Sequence, residues 1–179
     1  MHIYSIKLKG SKEKNMDAPQ FKAKRVSRKS TIFLKRPIED VYPLFGPVRE
    51  REWAEGWNPR IVYSTTDLLE EHMVFRTQSE YPEEESDKTW VVSKCVPEQA
   101  FIEYTVSTSA RVYWITIQCR EDQGNRATQA EITYTFIGLT DPGNALIEKA
   151  AGNMFAHDLK DWELAINHYL ATGKKLLHG

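Results

Sequence analysis

GNALIEKAAGNMFAHDLKDWELAINHYLATGKK, residues 143–175, is the stretch that decides the reading of this chain. At ~100° per residue, Ile147, Ala151, Met154, Phe155, Trp162, Ala165, Ile166 and Tyr169 fall on one stripe of a long helix, and Asp158 interrupts it near the middle. Such a stripe is expected to be covered by the rest of the fold. A buried carboxylate is costly without a partner, so Asp158 needs a hydrogen-bond donor, a cation or a wet cavity beside it. In the last case the helix roofs a hollow that admits something small. Asp141-Pro142-Gly143-Asn144 precedes the stripe as a stop followed by a capping signal, with Asp141 or Asn144 expected at the N-cap.

Working back from the helix, the chain reads as strands. Runs of strand type occupy Arg60 to Ser64, His72 to Gln78, Thr89 to Val96, Phe101 to Ser107, Arg111 to Arg120 and Thr128 to Leu139. Pro97-Glu98-Gln99, Thr108-Ser109-Ala110 and Gln123-Gly124-Asn125 are connections too short for parallel crossovers, so the strands should form an antiparallel meander. Alternation supports one buried face per strand. Ile132, Tyr134 and Phe136 oppose Glu131, Thr133 and Thr135; Ile102, Tyr104 and Val106 oppose Glu103, Thr105 and Ser107. The same count turns Tyr113, Ile115 and Ile117 inward and Trp114 outward, and pairs Met73 with Phe75 and Ile61 with Tyr63 on shared faces.

Before these strands, Ser30 to Lys35 alternates as a strand ending at Pro37. Pro37-Ile-Glu-Asp-Val-Tyr opens a short helix, because proline is preformed for a first turn and acids suit its positive end. Gly46-Pro47 breaks it, and a second short helix or turn runs from Arg49 to Glu55. Residues 1–27 read as a basic N-terminal extension without apolar period, in which Met16 is a second possible start, and residues 28–177 as one domain.

The 179 residues suffice for one core. Lysine plus arginine (24) nearly balance aspartate plus glutamate (25), so no global field recruits nucleic acid or a membrane surface. The acidic run Glu80 to Asp87 reads as solvated surface. Cys95 and Cys119 lie in strand-like runs without CxxC spacing, as expected of reduced structural thiols in a cytoplasmic protein. No run is long enough to span a bilayer, and the N-terminus has no apolar signal core.

Two motifs carry a resemblance. Pro37-Ile-Glu-Asp-Val-Tyr-Pro-Leu-Phe resembles the opening helix of the START/Bet v 1-like (SRPBCC) superfamily, which includes polyketide cyclase/dehydrase-like proteins and the Aha1 co-chaperone domain. Glu52-Trp53-Ala-Glu-Gly-Trp57-Asn-Pro59 is similar to the tryptophan-rich turn of its bacterial members. The resemblance covers about Ser30 to Leu176. It implies an α+β helix-grip fold: a curved antiparallel sheet of about seven strands wrapped around the C-terminal helix, two short helices after the first strand, and a ligand cavity between sheet and helix. Fold alone does not set the ligand, since members bind lipids, polyketides, hormones or proteins.

On that architecture Trp57, Tyr63, Phe75, Tyr104, Tyr113, Tyr134 and Trp162 are expected to converge on the space between sheet and helix, with Met154 and Asp158 on the helix facing them. The partner is then a small hydrophobic molecule such as a lipid or aromatic polyketide. Asp158 remains open to three roles: a structural carboxylate paired with a strand arginine or tyrosine, a ligand anchor, or a general acid or base. His157 and Asp161 share a helix side but lack a third ligand, so no metal is expected, nor any cofactor. There is no GxSxG elbow, Walker loop or GxGxxG. Carrier or sensor, cyclase/aromatase/dehydratase enzyme, and Aha1-like module binding through the basic extension and the acidic Glu83 to Asp87 tip are the three functions compatible with these features.

Overall fold

The computed structural model describes residues 21–66, 68–122 and 126–177. Seven strands form one antiparallel sheet: β1 (Arg25–Leu34), β2 (Arg60–Tyr63), β3 (Val74–Thr77), β4 (Lys88–Val96), β5 (Phe101–Ser107), β6 (Arg111–Asp122) and β7 (Ala127–Gly138). Their order is β1-β7-β6-β5-β4-β3-β2, a meander from β2 to β7 with β1 added at the far edge. The curved sheet wraps a 32-residue C-terminal helical run, which is the helix-grip arrangement. β1 begins at Arg25, so Arg25 to Ser27 belong to the sheet rather than to an extension. Residues 1–20, Met16 among them, and the 123–125 connection lie outside the described residues.

The buried face follows the period-two reading. Ile102, Tyr104 and Val106 stand opposite Ile117, Ile115 and Tyr113, which in turn stand opposite Ile132, Tyr134 and Phe136, and all nine are buried. A one-residue slip would send each of them to the outer face, so burial fixes the register. After β1, α1 (Ile38–Val41) runs into a 3₁₀ turn at Tyr42–Phe45, and the second element is a 3₁₀ turn at Arg49–Glu52 that stops short of the expected Glu55.

The C-terminal run starts as α2 (Asp141–Asn153), makes one π turn over Met154–Asp158 and continues as α3 (Leu159–Thr172). Its N-cap is Thr140, not Asp141 or Asn144: the Thr140 hydroxyl accepts from Gly143 N at 3.0 Å. Asn144 instead pins the chain entering β1, accepting from Lys24 N at 2.8 Å and donating to Lys22 O at 3.0 Å. Gly143 is required where α2 meets the β5–β6 turn, because a Cβ there would lie 2.0 Å from Ala110 O. Farther on, α3 covers the free edge of β1: Glu163 accepts from Phe33 N at 2.7 Å, and Asn167 bonds both Lys35 N and Phe33 O at 2.9 Å. An exposed edge would otherwise pair with another chain.

Candidate ligand cavity

A cavity of about 650 Å³ lies between the sheet and the C-terminal run. Three strands build its floor by alternation. On β6, counting back from Ile117 through Ile115 and Tyr113 reaches Arg111, and on β4 the face of Val92 and Trp90 carries Lys88. On β7, Tyr134 and Phe136 continue the same face and line the cavity. The roof comes from Ala150, Met154, Asp158 and Trp162, and one wall from the Glu50–Asn58 turn.

Tryptophans form much of the apolar lining, and their polar edges are tied down. Trp57 Nε1 donates to Pro47 O at 2.8 Å and Trp90 Nε1 to Thr77 Oγ1 at 2.9 Å. The two rings meet edge to face at 5.6 Å, and Trp90 touches Tyr113 at 6.2 Å. With their only donors satisfied, these rings present apolar faces in fixed orientations.

Of the nine residues expected here, Trp57, Tyr113, Tyr134, Met154, Asp158 and Trp162 line the cavity. The other three do not. Tyr63 is 55% exposed, because the β2–β3 register shifts between Ile61 and Tyr63 and breaks the alternation that put them on one face. Phe75 is buried behind the lining, stacked on Trp90 at 5.3 Å. Tyr104 is buried too, its hydroxyl donating to Phe45 O at 2.7 Å and so turned to the core.

The acidic run is not a solvated surface throughout. Glu84 is 7% and Arg111 2% exposed, and their side chains pair at 2.5 Å. Thr108 and Ser79 also donate to Glu84. Burial by itself would raise the Glu84 carboxyl, but the bonds from Arg111, Ser79 and Thr108 outweigh it and hold the group below the usual carboxylate range. Arg111 is further enclosed by the rings of Tyr113 at 4.9 Å, Tyr81 at 5.0 Å and Phe136 at 5.5 Å. Glu80 pairs with Lys88, and Asp87 lies 3.7 Å from Arg60. The segment from β3 to β4 thus supplies carboxylates to three cations of the cavity, Arg60, Lys88 and Arg111.

Asp158 ends the π turn, where Leu159 N bonds Met154 O five residues back. The extra residue widens the turn and places Leu159 in the core while Asp158 lines the cavity. π turns of this kind often mark functional sites. Arg111 is committed to Glu84, and Asp158 has neither a hydrogen bond nor an ion pair among the described residues. Burial raises its carboxyl above the usual range, and the charges of Asp161 and Glu80 add to this against a partial offset from His157 and Lys88. Among the described residues Asp158 is therefore not paired with a strand arginine or tyrosine.

Glu50 was not anticipated. It lines the same cavity without a side-chain partner among the described residues, and burial alone pushes its carboxyl well above the usual range. The Tyr134 phenol is also raised, first by burial, and it feels the charges of both Glu50 and Asp158. Arg111 and Lys88 had a legible signal in the strand alternation. Glu50 had none, because a glutamate in an Arg-Glu-Arg-Glu turn looks like surface.

No family model matches the chain, and neither does any curated protein. Solved structures do. Norcoclaurine synthase from Thalictrum flavum, in complex with dopamine and hydroxybenzaldehyde, superposes with a TM-score of 0.62 at 9% identity, over 85% of this chain and 90% of that one. A START superfamily protein from Mycobacterium smegmatis gives 0.59 at 10% identity, over 79% and 97%. The fold is that of the START/Bet v 1-like proteins. A protein from the dynemicin biosynthetic locus matches at 0.54 and 14% identity, over 83% of this chain and 48% of that one. Among the described residues no helix is long and apolar enough to cross a membrane.

Proposed function

We propose that this chain carries or senses a small molecule with an apolar, ring-bearing body, bound between the sheet and the C-terminal helix. The cavity of about 650 Å³ carries this reading, since small-molecule sites typically measure ~300–1,000 Å³. Its aromatic lining supports a hydrophobic or aromatic body, and the likeness to a synthase solved with two small aromatic molecules agrees in kind. The binding unit is the domain of residues 28–177 completed by the start of β1. The free thiols of Cys95 and Cys119 suit a reducing compartment such as the cytoplasm.

A thermal-shift panel of fatty acids, isoprenoids, aromatic polyketides and simple phenols tests this, because any ligand of the native state raises Tm by mass action. Ala150→Phe, which grows a ring from the roof into the cavity, should abolish the shift of every hit. An unresponsive wild type, or hits that ignore Ala150→Phe, would remove the support.

A second reading, proton-transfer catalysis of the cyclase or dehydratase type, draws on one observation: Glu50 and Asp158 hold raised carboxyls around Tyr134. Raised carboxyls are suited to general acid work near neutral pH. Conversion of a poly-β-ketone thioester, with a pH profile that moves in Glu50→Gln, would favour it; no turnover across a substrate panel leaves the carrier reading alone. The protein-binding reading loses part of its basis, because the acidic tip sends Glu84 inward.

A further inference from the structure

The ionic groups of the cavity fall into two sets. Arg111 has Glu84, Lys88 has Glu80, and Arg60 has Asp87. Arg76 also lines the cavity, exposed and without an ion pair among the described residues, and Glu55 has a partner. Once these are matched, Glu50 and Asp158 are left as acids with no ion pair among the described residues. Around them stand the aromatic walls of Trp57, Trp90, Tyr113 and Tyr134. Aromatic faces are the negative side of the ring quadrupole, so they attract a cation.

We propose that the ligand of this cavity carries a cationic amine on its apolar body, with the ammonium held by one of the two unpaired acids of the wall, Glu50 or Asp158, and the body against the tryptophan wall. The inference rests on the binding reading above and names the ligand class of the same site. An ammonium supplies what both carboxylates lack, since charge-assisted hydrogen bonds offset the cost of keeping an acid away from water. An anionic ligand meets two unmatched acids, with Asp161 and Glu80 adding to the field at Asp158. A metal ion is disfavoured, because no group of three ligating side chains exists among the described residues.

The test uses the full chain and three probes that share a ring and differ in charge: 2-phenylethylamine, 2-phenylethanol and 3-phenylpropanoate. Calorimetric titration should rank amine above alcohol by about tenfold or more, the scale of one good charge-assisted contact, with the acid weakest. In Glu50→Gln/Asp158→Asn the advantage of the amine over the alcohol should disappear. Should the double variant fail to fold, each single variant is expected to lose part of the amine preference. Equal binding of amine and alcohol, a preference that survives both substitutions, or hits confined to neutral lipids would overturn the amine assignment and leave the cavity reading standing. Failure of these probes and of the wider panel together would sink both.

Discussion

Arg111 and Glu84 match each other's charge, whereas Glu50 and Asp158, lining the same cavity, have no ion pair among the described residues. The Arg111–Glu84 pair is nearly sealed from solvent, bonded again by Thr108 and Ser79 and enclosed by three rings. Glu50 and Asp158 face the cavity with raised carboxyls and no partner among the described residues. Full satisfaction holds structure in place, and an unmatched acid at a cavity wall keeps free energy in reserve for a ligand that matches it.

The largest effect should come from breaking the matched side. Arg111→Met leaves Glu84 buried and unpaired, and chemical denaturation should show a loss of about 3–5 kcal/mol. Adding Glu84→Gln should recover part of that loss; a double variant as unstable as the sum of the singles would mean that the two groups are not coupled.

Tyr104→Phe probes a second satisfied group. It strands the Phe45 carbonyl that the hydroxyl now serves at 2.7 Å and should cost about 1–2 kcal/mol. Ligand affinities should stay unchanged, because Tyr104 lies behind the cavity wall.

On the unmatched side the sign reverses. The folded-state pKa of Glu50 is raised, so the folded state holds its proton to higher pH than the unfolded chain does. Folding stability therefore declines as pH rises from the ordinary carboxylate range through the raised folded value. Glu50→Gln removes that decline and should stabilise the protein at neutral pH, each pKa unit of elevation being worth about 1.4 kcal/mol. Near pH 4 the difference between wild type and variant should close. Melting curves across pH check this, and a variant less stable than wild type at pH 7 would show that Glu50 has a cation after all.

The smallest shift belongs to Asp158→Asn, expected within about 0.5 kcal/mol because the side chain is half-buried beside a cavity and has no partner to strand. A loss of several kcal/mol would place Asp158 on the matched side of the comparison.

Much of this architecture was legible in the residues. The short connections foretold strand direction, the apolar alternation in Phe101–Ser107 and its neighbours foretold the buried face, and the stripe through Ile147, Ala151 and Ile166 foretold the gripping helix. Six of the nine anticipated site residues line the cavity. The other three lie outside the lining for two reasons. Tyr63 turned outward at a bulge, and Phe75 and Tyr104 share the buried face but sit behind other rings.

What the sequence determined by itself is therefore the set of elements and the face each one buries, because periodicity and turn chemistry act over a few residues. Which charges meet was decided only by the tertiary structure. Glu84 and Arg111 are 27 residues apart in sequence, and Asp158 reaches the cavity through one extra residue in a π turn. Glu50 becomes unusual only once the folded chain sets it in the cavity wall, where partial burial raises its carboxyl. Pairing and desolvation depend on distances between distant segments, and those distances exist only after the sheet has closed around the helix.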